Sequence, residues 1–183
     1  MGDETMTIID YFLANAEKYN DTTFMTQPMG DDVTKTFTYT ETVEEAKKMA
    51  GYINSLGLPE KSQIAIMSKN CAWWIITDLA IWMSGHVSVP VFPTLTAETT
   101  RFTLEHSESK LLFVGKLDTK PWEEQKKGIP EDLPTVSFPL CIEGSAKTTW
   151  DEAISSASPI ETPVKRSLDE MATIIYTSGS TGM

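Results

Sequence analysis

The chain has 183 residues, 40% of them apolar, which is enough for a single folded domain with a buried core. Its 26 acidic and 15 basic side chains give a formal net charge of −11. Nucleic acids and anionic membranes bind proteins through clustered lysine and arginine, so this acidity disfavours both as partners. We expect a cytoplasmic protein with an ordinary acidic surface.

Zinc binding, secretion and a membrane span are also disfavoured. Cys71 and Cys141 lie far apart and outside any CxxC or Cys/His cluster, so they are predicted to be buried thiols. The N-terminus is acidic and lacks the basic start of a secretory signal. The apolar segment 72–83 contains Asp78 and is shorter than the ~20 residues of a spanning helix, so we expect a buried helix.

The N-terminal forty residues predict a helix followed by a hairpin. The helix begins at Thr7 and places apolar side chains on one face: Ile8, Ile9, Phe12, Leu13 and Ala16. Two strand-like segments, 22–26 and 33–39, flank the turn Gly30-Asp31-Asp32. We therefore expect a small N-terminal β-hairpin.

From residue 40 onward, helical and strand patterns alternate. Predicted helices cover 40–56, 72–83 and 96–107, and predicted strands cover 63–67, 87–92 and 110–114. Thr96 is the predicted N-cap of the third helix. This order predicts an α/β fold with a mostly parallel sheet flanked by helices.

The remaining third is less regular. We expect a short helix that begins at Pro121 and ends by Gly128, and a strand over 135–140 interrupted by Pro139. Thr149 is the predicted cap of a short helix through Ile154. Residues 155–166 are typical of a surface connection. The apolar run 172–177 predicts a further strand, which in the complete fold would be buried on both faces.

The candidate functional site follows that last predicted strand. Its residues are small or carry hydroxyls: Thr177, Ser178, Gly179, Ser180, Thr181 and Gly182. Glycines allow close approach of an anion, and successive N–H groups and hydroxyls can surround phosphate oxygens. The composition alone equally fits a solvent-exposed turn. It is not the pattern GxxxxGK[ST] of the P-loop.

Residues 174–182, Ile-Ile-Tyr-Thr-Ser-Gly-Ser-Thr-Gly, resemble the signature phosphate loop of the adenylate-forming (AMP-binding) superfamily. In that family the pattern continues with one residue and then Pro-Lys-Gly, whereas this chain ends at Met183. The resemblance extends upstream through residues 37–57 and 64–74. Residues 85–96 and 105–110 are similar to the long-chain fatty acyl-CoA synthetase branch.

The resemblance implies an ATP-dependent acid–CoA ligase as the parent protein. Such enzymes form acyl-AMP and pyrophosphate from an acid and ATP with Mg²⁺, and then transfer the acyl group to CoA. Residues 177–182 match the loop that grips the β- and γ-phosphates. Residues 1–183 are then a partial N-terminal AMP-binding domain that stops inside this loop. No catalytic or metal-binding residue is expected within it, and the C-terminal lid domain would lie beyond Met183.

Two other readings stay open: an acyl-AMP ligase that feeds a carrier protein, and a non-catalytic short binding module. His86 and His106 have no plausible partner nearby in the sequence, so both are predicted to be structural. If part of the domain is missing, apolar surface becomes exposed, and we expect a dimer or aggregation through that surface.

Overall fold

The computed structural model describes residues 6–177, and its elements follow the predicted alternation. The helices are α1 (Ile8–Tyr19), α2 (Tyr39–Ser55), α3 (Ala72–Met83), α4 (Ala97–His106), α5 (Thr119–Gln125) and α6 (Trp150–Ser155). A 3₁₀ turn over Lys126–Gly128 continues α5. The strands are β1 (Thr23–Gly30), β2 (Val33–Thr38), β3 (Gln63–Met67), β4 (Val87–Val91), β5 (Leu111–Val114), β6 (Thr135–Ser137) and β7 (Thr148–Thr149).

Strands β3 to β7 form one sheet in the order β4-β3-β5-β6-β7, and each neighbouring pair is parallel. Helices cover both faces of this sheet. Along β3, Ile64 and Ile66 pack into the core that contains α2, α3 and α6. The alternate residues Ala65 and Met67 pack into the second core, with α4 and α5. The predicted α/β architecture is confirmed.

Strands β1 and β2 form the predicted antiparallel hairpin. Asp31 and Asp32 join them with φ angles of 48° and 58°, a conformation that aspartate tolerates in tight turns. Gln27 of β1 is buried, and its Oε1 accepts a hydrogen bond from the Ala72 N–H at 2.8 Å. Cys71, the N-cap residue of α3, makes no capping bond through its side chain. The hairpin therefore satisfies a backbone donor that α3 leaves free at its start.

Threonine side chains cap four of the helices in residues 6–177: Thr7, Thr38, Thr96 and Thr149. In α1, α2 and α6 an acidic residue three positions later bonds back to the cap N–H, which completes a capping box. The predicted caps Thr96 and Thr149 are confirmed. Helix α2 begins one residue earlier than predicted because Thr38 is its cap.

Helix α3 is the predicted buried helix, with most of its side chains inside the first core. Within the described part of the chain, no helix has the length and apolarity needed to cross a membrane. Cys71 and Cys141 are free thiols, as predicted, but they are half-buried rather than fully buried. Strand β6 ends at Ser137, so the strand predicted over 135–140 stops before Pro139.

The predicted strand over residues 172–177 is absent from this structure, whereas its burial within a complete domain stays a prediction. Only Thr173 forms a β-bridge, with Ser88 of β4, and Ile175 is 68% exposed. The Ser88 N–H donates to the Ala172 carbonyl at 3.0 Å, and the Ile174 N–H donates to the Ser88 carbonyl at 2.9 Å. The next donor along this edge would be residue 90, which is a proline without an N–H. Pro90 thus stops the ladder after one bridge.

Several large apolar side chains remain exposed in the described chain. Phe92 is 56% exposed and lines the same cleft as Ile175. Phe102 is 55% exposed and meets Tyr176 edge to face. Exposed apolar groups of this size favour association. The dimer expected from the sequence stays a prediction.

Gly115 offers a test of the packing where β5 ends. A Cβ on this residue would overlap the Ser68 side chain and the Phe138 ring. We expect Gly115→Ala to lower the free energy of unfolding by about 3 kcal/mol, because overpacking a close-fitted site forces its neighbours apart. Urea denaturation of the 183-residue chain measures this.

Gly144→Ala is the control for that substitution. Gly144 has open space around it but a φ of +71°, so an alanine there meets only backbone strain. We expect a loss of about 1 kcal/mol. Equal losses for the two variants would contradict a packing effect at Gly115.

Candidate functional site

The candidate site lies where strands β3, β4 and β5 end. Carboxyl ends of parallel strands meet at one edge of the sheet, which is where open α/β sheets bind ligands. Three hydrogen bonds join the loops after β3 and β5. The Gly115 N–H donates to the Met67 carbonyl at 2.9 Å, and the Lys69 N–H donates to the Lys116 carbonyl at 2.8 Å. The Lys116 N–H donates to Ser68 Oγ at 2.9 Å. The two loops form one fixed rim.

A cleft of about 570 Å³ opens at this rim. Apolar and basic side chains line it: Lys69, Trp74, Phe92, Lys116 and Ile175. Lys69 is paired with Asp118, and Lys116 forms no ion pair with residues 6–177. The rim thus combines apolar surface with positive charge, although the chain as a whole is acidic.

The segment that leads to the predicted phosphate loop is fixed to α3 and β4. Trp82 Nε1 of α3 donates to the Ala172 carbonyl at 2.9 Å. The hydroxyls of Ser88 and Thr173 lie 2.9 Å apart, beside the bridge between their backbones. From Thr173 the chain runs past the end of β4, so Ile175 reaches the cleft. The segment approaches the site as predicted, but through one bridge rather than a full strand.

Of the six predicted loop residues, the structure describes Thr177, whose side chain is exposed. Ser178, Gly179, Ser180, Thr181 and Gly182 lie outside the described residues. Their contact with phosphate stays a prediction. Among residues 6–177, no three histidine, cysteine, aspartate or glutamate side chains come together as a metal site.

His106 has a partner that sequence reasoning missed. Its Nδ1 lies 2.8 Å from the hydroxyl of Tyr176, the residue before Thr177. The two residues are 70 positions apart, so no local pattern could have paired them. His86, by contrast, is buried in the fold and its carbonyl accepts a bond from Arg166 at 3.0 Å. Burial lowers the pKa of the His86 imidazole, and the Arg166 charge adds to this effect.

Asp78 is a buried carboxyl in α3, close to the point where the segment 172–174 meets β4. Its Oδ1 has no hydrogen-bond partner among the described protein atoms. Burial raises the pKa of Asp78 to about 6, and a hydrogen bond with Ser88 partly offsets this rise. The Ser88 hydroxyl also lies 2.9 Å from that of Thr173.

The sequence profile of one enzyme family, described as AMP-binding enzyme, matches residues 12–183. Among curated proteins, the chain is 32% identical over 163 residues to the long-chain-fatty-acid–CoA ligase FadD15 of Mycobacterium bovis. That alignment covers 85% of this chain and 26% of the relative. The chain thus spans about a quarter of the length of this curated relative.

Solved structures share the fold. A long-chain-fatty-acid-CoA ligase (FadD1) from Archaeoglobus fulgidus superposes with a TM-score of 0.76 at 22% identity, over 96% of this chain and 35% of that one. The anthranilate CoA ligase AuaEII, in complex with anthranoyl-AMP, gives a TM-score of 0.81 at 15% identity. That match covers 98% of this chain and 34% of the ligase.

The Asp78 carboxyl gives a pH-dependent prediction. Its pKa is higher in the folded chain than in the unfolded chain, so stability falls as pH rises from about 4 through about 6. At pH 8, Asp78→Asn removes a buried charge and should raise the free energy of unfolding by about 3 kcal/mol. Near pH 4 the gain should shrink to under about 1 kcal/mol, because the folded wild type is then neutral. Urea titrations at both pH values test this, and a gain independent of pH would contradict burial as its cause.

Proposed function

Because this chain belongs to the AMP-binding enzyme family, we propose that it is the N-terminal portion of an ATP-dependent long-chain fatty acid–CoA ligase. The family match over residues 12–183 is the observation that carries this proposal. The similarity to a long-chain-fatty-acid–CoA ligase supports the choice of substrate. The position of Thr177, directly after a segment fixed at the carboxyl edge of the sheet, supports a ligand loop at this place.

In this proposal residues 177–182 hold the β- and γ-phosphates of ATP. Backbone N–H groups and the four hydroxyls are neutral donors that stabilise charge on the departing pyrophosphate. Their role is positioning and electrostatics rather than proton transfer. We assign no nucleophilic serine and no catalytic acid or base to this chain.

The proposed reaction has two steps. A carboxylate oxygen of the fatty acid attacks the α-phosphorus of ATP, the bond to the bridging oxygen breaks, and pyrophosphate leaves with acyl-AMP remaining. The thiol sulfur of CoA then attacks the acyl carbon and loses its proton to solvent, and the bond between the acyl carbon and the phosphate oxygen breaks, so AMP leaves with its electron pair. Bound Mg²⁺ would neutralise phosphate charge in the first step. We assign no Mg²⁺ ligand to residues 6–177.

We propose that residues 1–183 are one part of the AMP-binding domain. The chain spans 26% of one curated ligase and 35% of one solved ligase, so most of such an enzyme lies outside the matched region. The adenine and ribose contacts, the metal carboxylate, most of the acyl pocket and the lid domain are assigned to that region. The acidic composition supports a cytoplasmic location.

The first test compares the 183-residue chain with the full-length gene product. With ATP, Mg²⁺ and palmitate, we expect pyrophosphate release by the full-length protein and none by the 183-residue chain. Addition of CoA should yield palmitoyl-CoA. Acyl-AMP without thioester would favour the ligase that feeds a carrier protein, and no pyrophosphate from any acid would favour the binding module. Turnover by the short chain would contradict the assignment of essential groups elsewhere.

The second test removes one hydroxyl of the proposed phosphate loop. In the full-length protein, Ser180→Ala should lower kcat/KM for ATP about tenfold, because a hydrogen bond to a charged phosphate is lost. Thr162→Ala is the control, since Thr162 is exposed in the connection after α6. Its kcat/KM should stay at the wild-type value. An unchanged kcat/KM in Ser180→Ala would contradict the role of this hydroxyl.

A further inference from the structure

Tyr176 is held on both sides just before the proposed phosphate loop begins. Three residues upstream, Thr173 is bound to Ser88 by its backbone and by its hydroxyl. At Tyr176 the side-chain hydroxyl lies 2.8 Å from His106 Nδ1, at the last residue of α4. A stretch this short, fixed at both ends, has little freedom in the direction of its backbone. The second attachment therefore affects where Thr177 points.

Aromatic contacts reinforce the hydrogen bond. Phe102, one turn earlier on α4, packs on the His106 ring with a centroid distance of 5.1 Å and an interplanar angle of 31°. Tyr176 meets His106 edge to face at 5.8 Å and 85°. It also meets Phe102 edge to face at 6.5 Å and 86°. Edge-to-face packing fixes the orientation of rings as well as their separation. We call these three residues the aromatic cluster.

Helix α4 is a rigid support for this cluster. Thr96 caps its first turn, and Thr100 and Leu104 are buried beneath it. The 3₁₀ turn packs closely against its N-terminal end, where a Cβ on Gly128 would overlap the Ala97 carbonyl. The position of His106 is therefore set by the sheet and its covering helices.

We propose that His106 is a positioning residue, which holds Tyr176 and thereby sets the direction of the backbone at Thr177, where the proposed phosphate loop begins. This inference rests on the proposed function of those residues as a phosphate loop. His106 acts through Tyr176 and does not touch the nucleotide. The aromatic cluster thus links the end of α4 to phosphate binding.

The hydrogen bond can form with either tautomer of the His106 imidazole. A tyrosine hydroxyl donates to an unprotonated Nδ1 and accepts from a protonated one. Burial raises the pKa of the Tyr176 hydroxyl, so it keeps its proton at neutral pH.

Kinetics of the full-length gene product test the proposal. His106→Leu and Tyr176→Phe each remove the hydrogen bond, and each should raise KM for ATP about fivefold, the loss expected for one hydrogen bond. The KM for the acid should stay within about twofold. His106→Asn places a polar atom close to the position of Nδ1 and should restore most of the affinity for ATP. Glu105→Gln, the neighbouring exposed residue on α4, is the control and should behave as wild type.

A double variant separates positioning from general damage. If both residues act through the same bond, His106→Leu combined with Tyr176→Phe should raise KM for ATP no more than either change alone. A fall in kcat at unchanged KM for ATP would indicate fewer folded molecules and would overturn the proposal. So would additive effects in the double variant, or an asparagine variant no better than leucine.

The contact itself is tested without ATP. In ¹⁵N spectra of the 183-residue chain, Tyr176→Phe should shift the His106 Nδ1 resonance, whereas Phe24→Leu, a change in a separate aromatic group, should not. An unshifted resonance would overturn the proposal, because the attachment would be absent. If the shift is present but wild-type full-length protein does not bind ATP, the proposed function fails and the inference about nucleotide positioning falls with it.

Discussion

Strand β3 is buried on both faces and hydrogen-bonded on both edges, and the rest of the described fold depends on it. Its pairing with β4 and β5 places the ends of three strands at one rim. Its alternating side chains divide the interior into two cores, so helices must lie on both faces of the sheet. The apolar segment that forms it has a strand's length and no charge, which leaves few alternative placements.

Much of this architecture was predictable from local patterns. The bounds of β3 and α3 agree with their predicted ranges, because each is a compact apolar segment between polar residues. The predicted N-cap residues Thr96 and Thr149 correctly marked where α4 and α6 begin. The strand prediction for residues 172–177 was wrong because an apolar run indicates that burial is favourable, but it does not indicate that a neighbouring strand can pair with it. Pro90 was the available signal, since a proline within a strand indicates an edge without a donor.

The sequence could predict the candidate site only where the residues that form it are adjacent along the chain. The glycines and hydroxyl side chains of residues 177–182 are visible in the sequence. The family resemblance that identifies them as a phosphate loop is visible there too. The contact between His106 and Tyr176 is different, because it joins residues that only the folded sheet brings together. The same holds for the rim made by Ser68 and Lys116. Long-range geometry of this kind follows from topology, and no spacing rule along the chain specifies it.

The bond between Gln27 and Ala72 has a consequence for how the molecule opens. The hairpin satisfies a backbone donor at the start of α3, so separating the two would leave that buried N–H without its protein partner. Opening of the hairpin and fraying of the first turn of α3 are therefore coupled in free energy. We therefore expect the amide protons of the hairpin around Gln27 and of the first turn of α3 to become accessible to exchange in the same opening event.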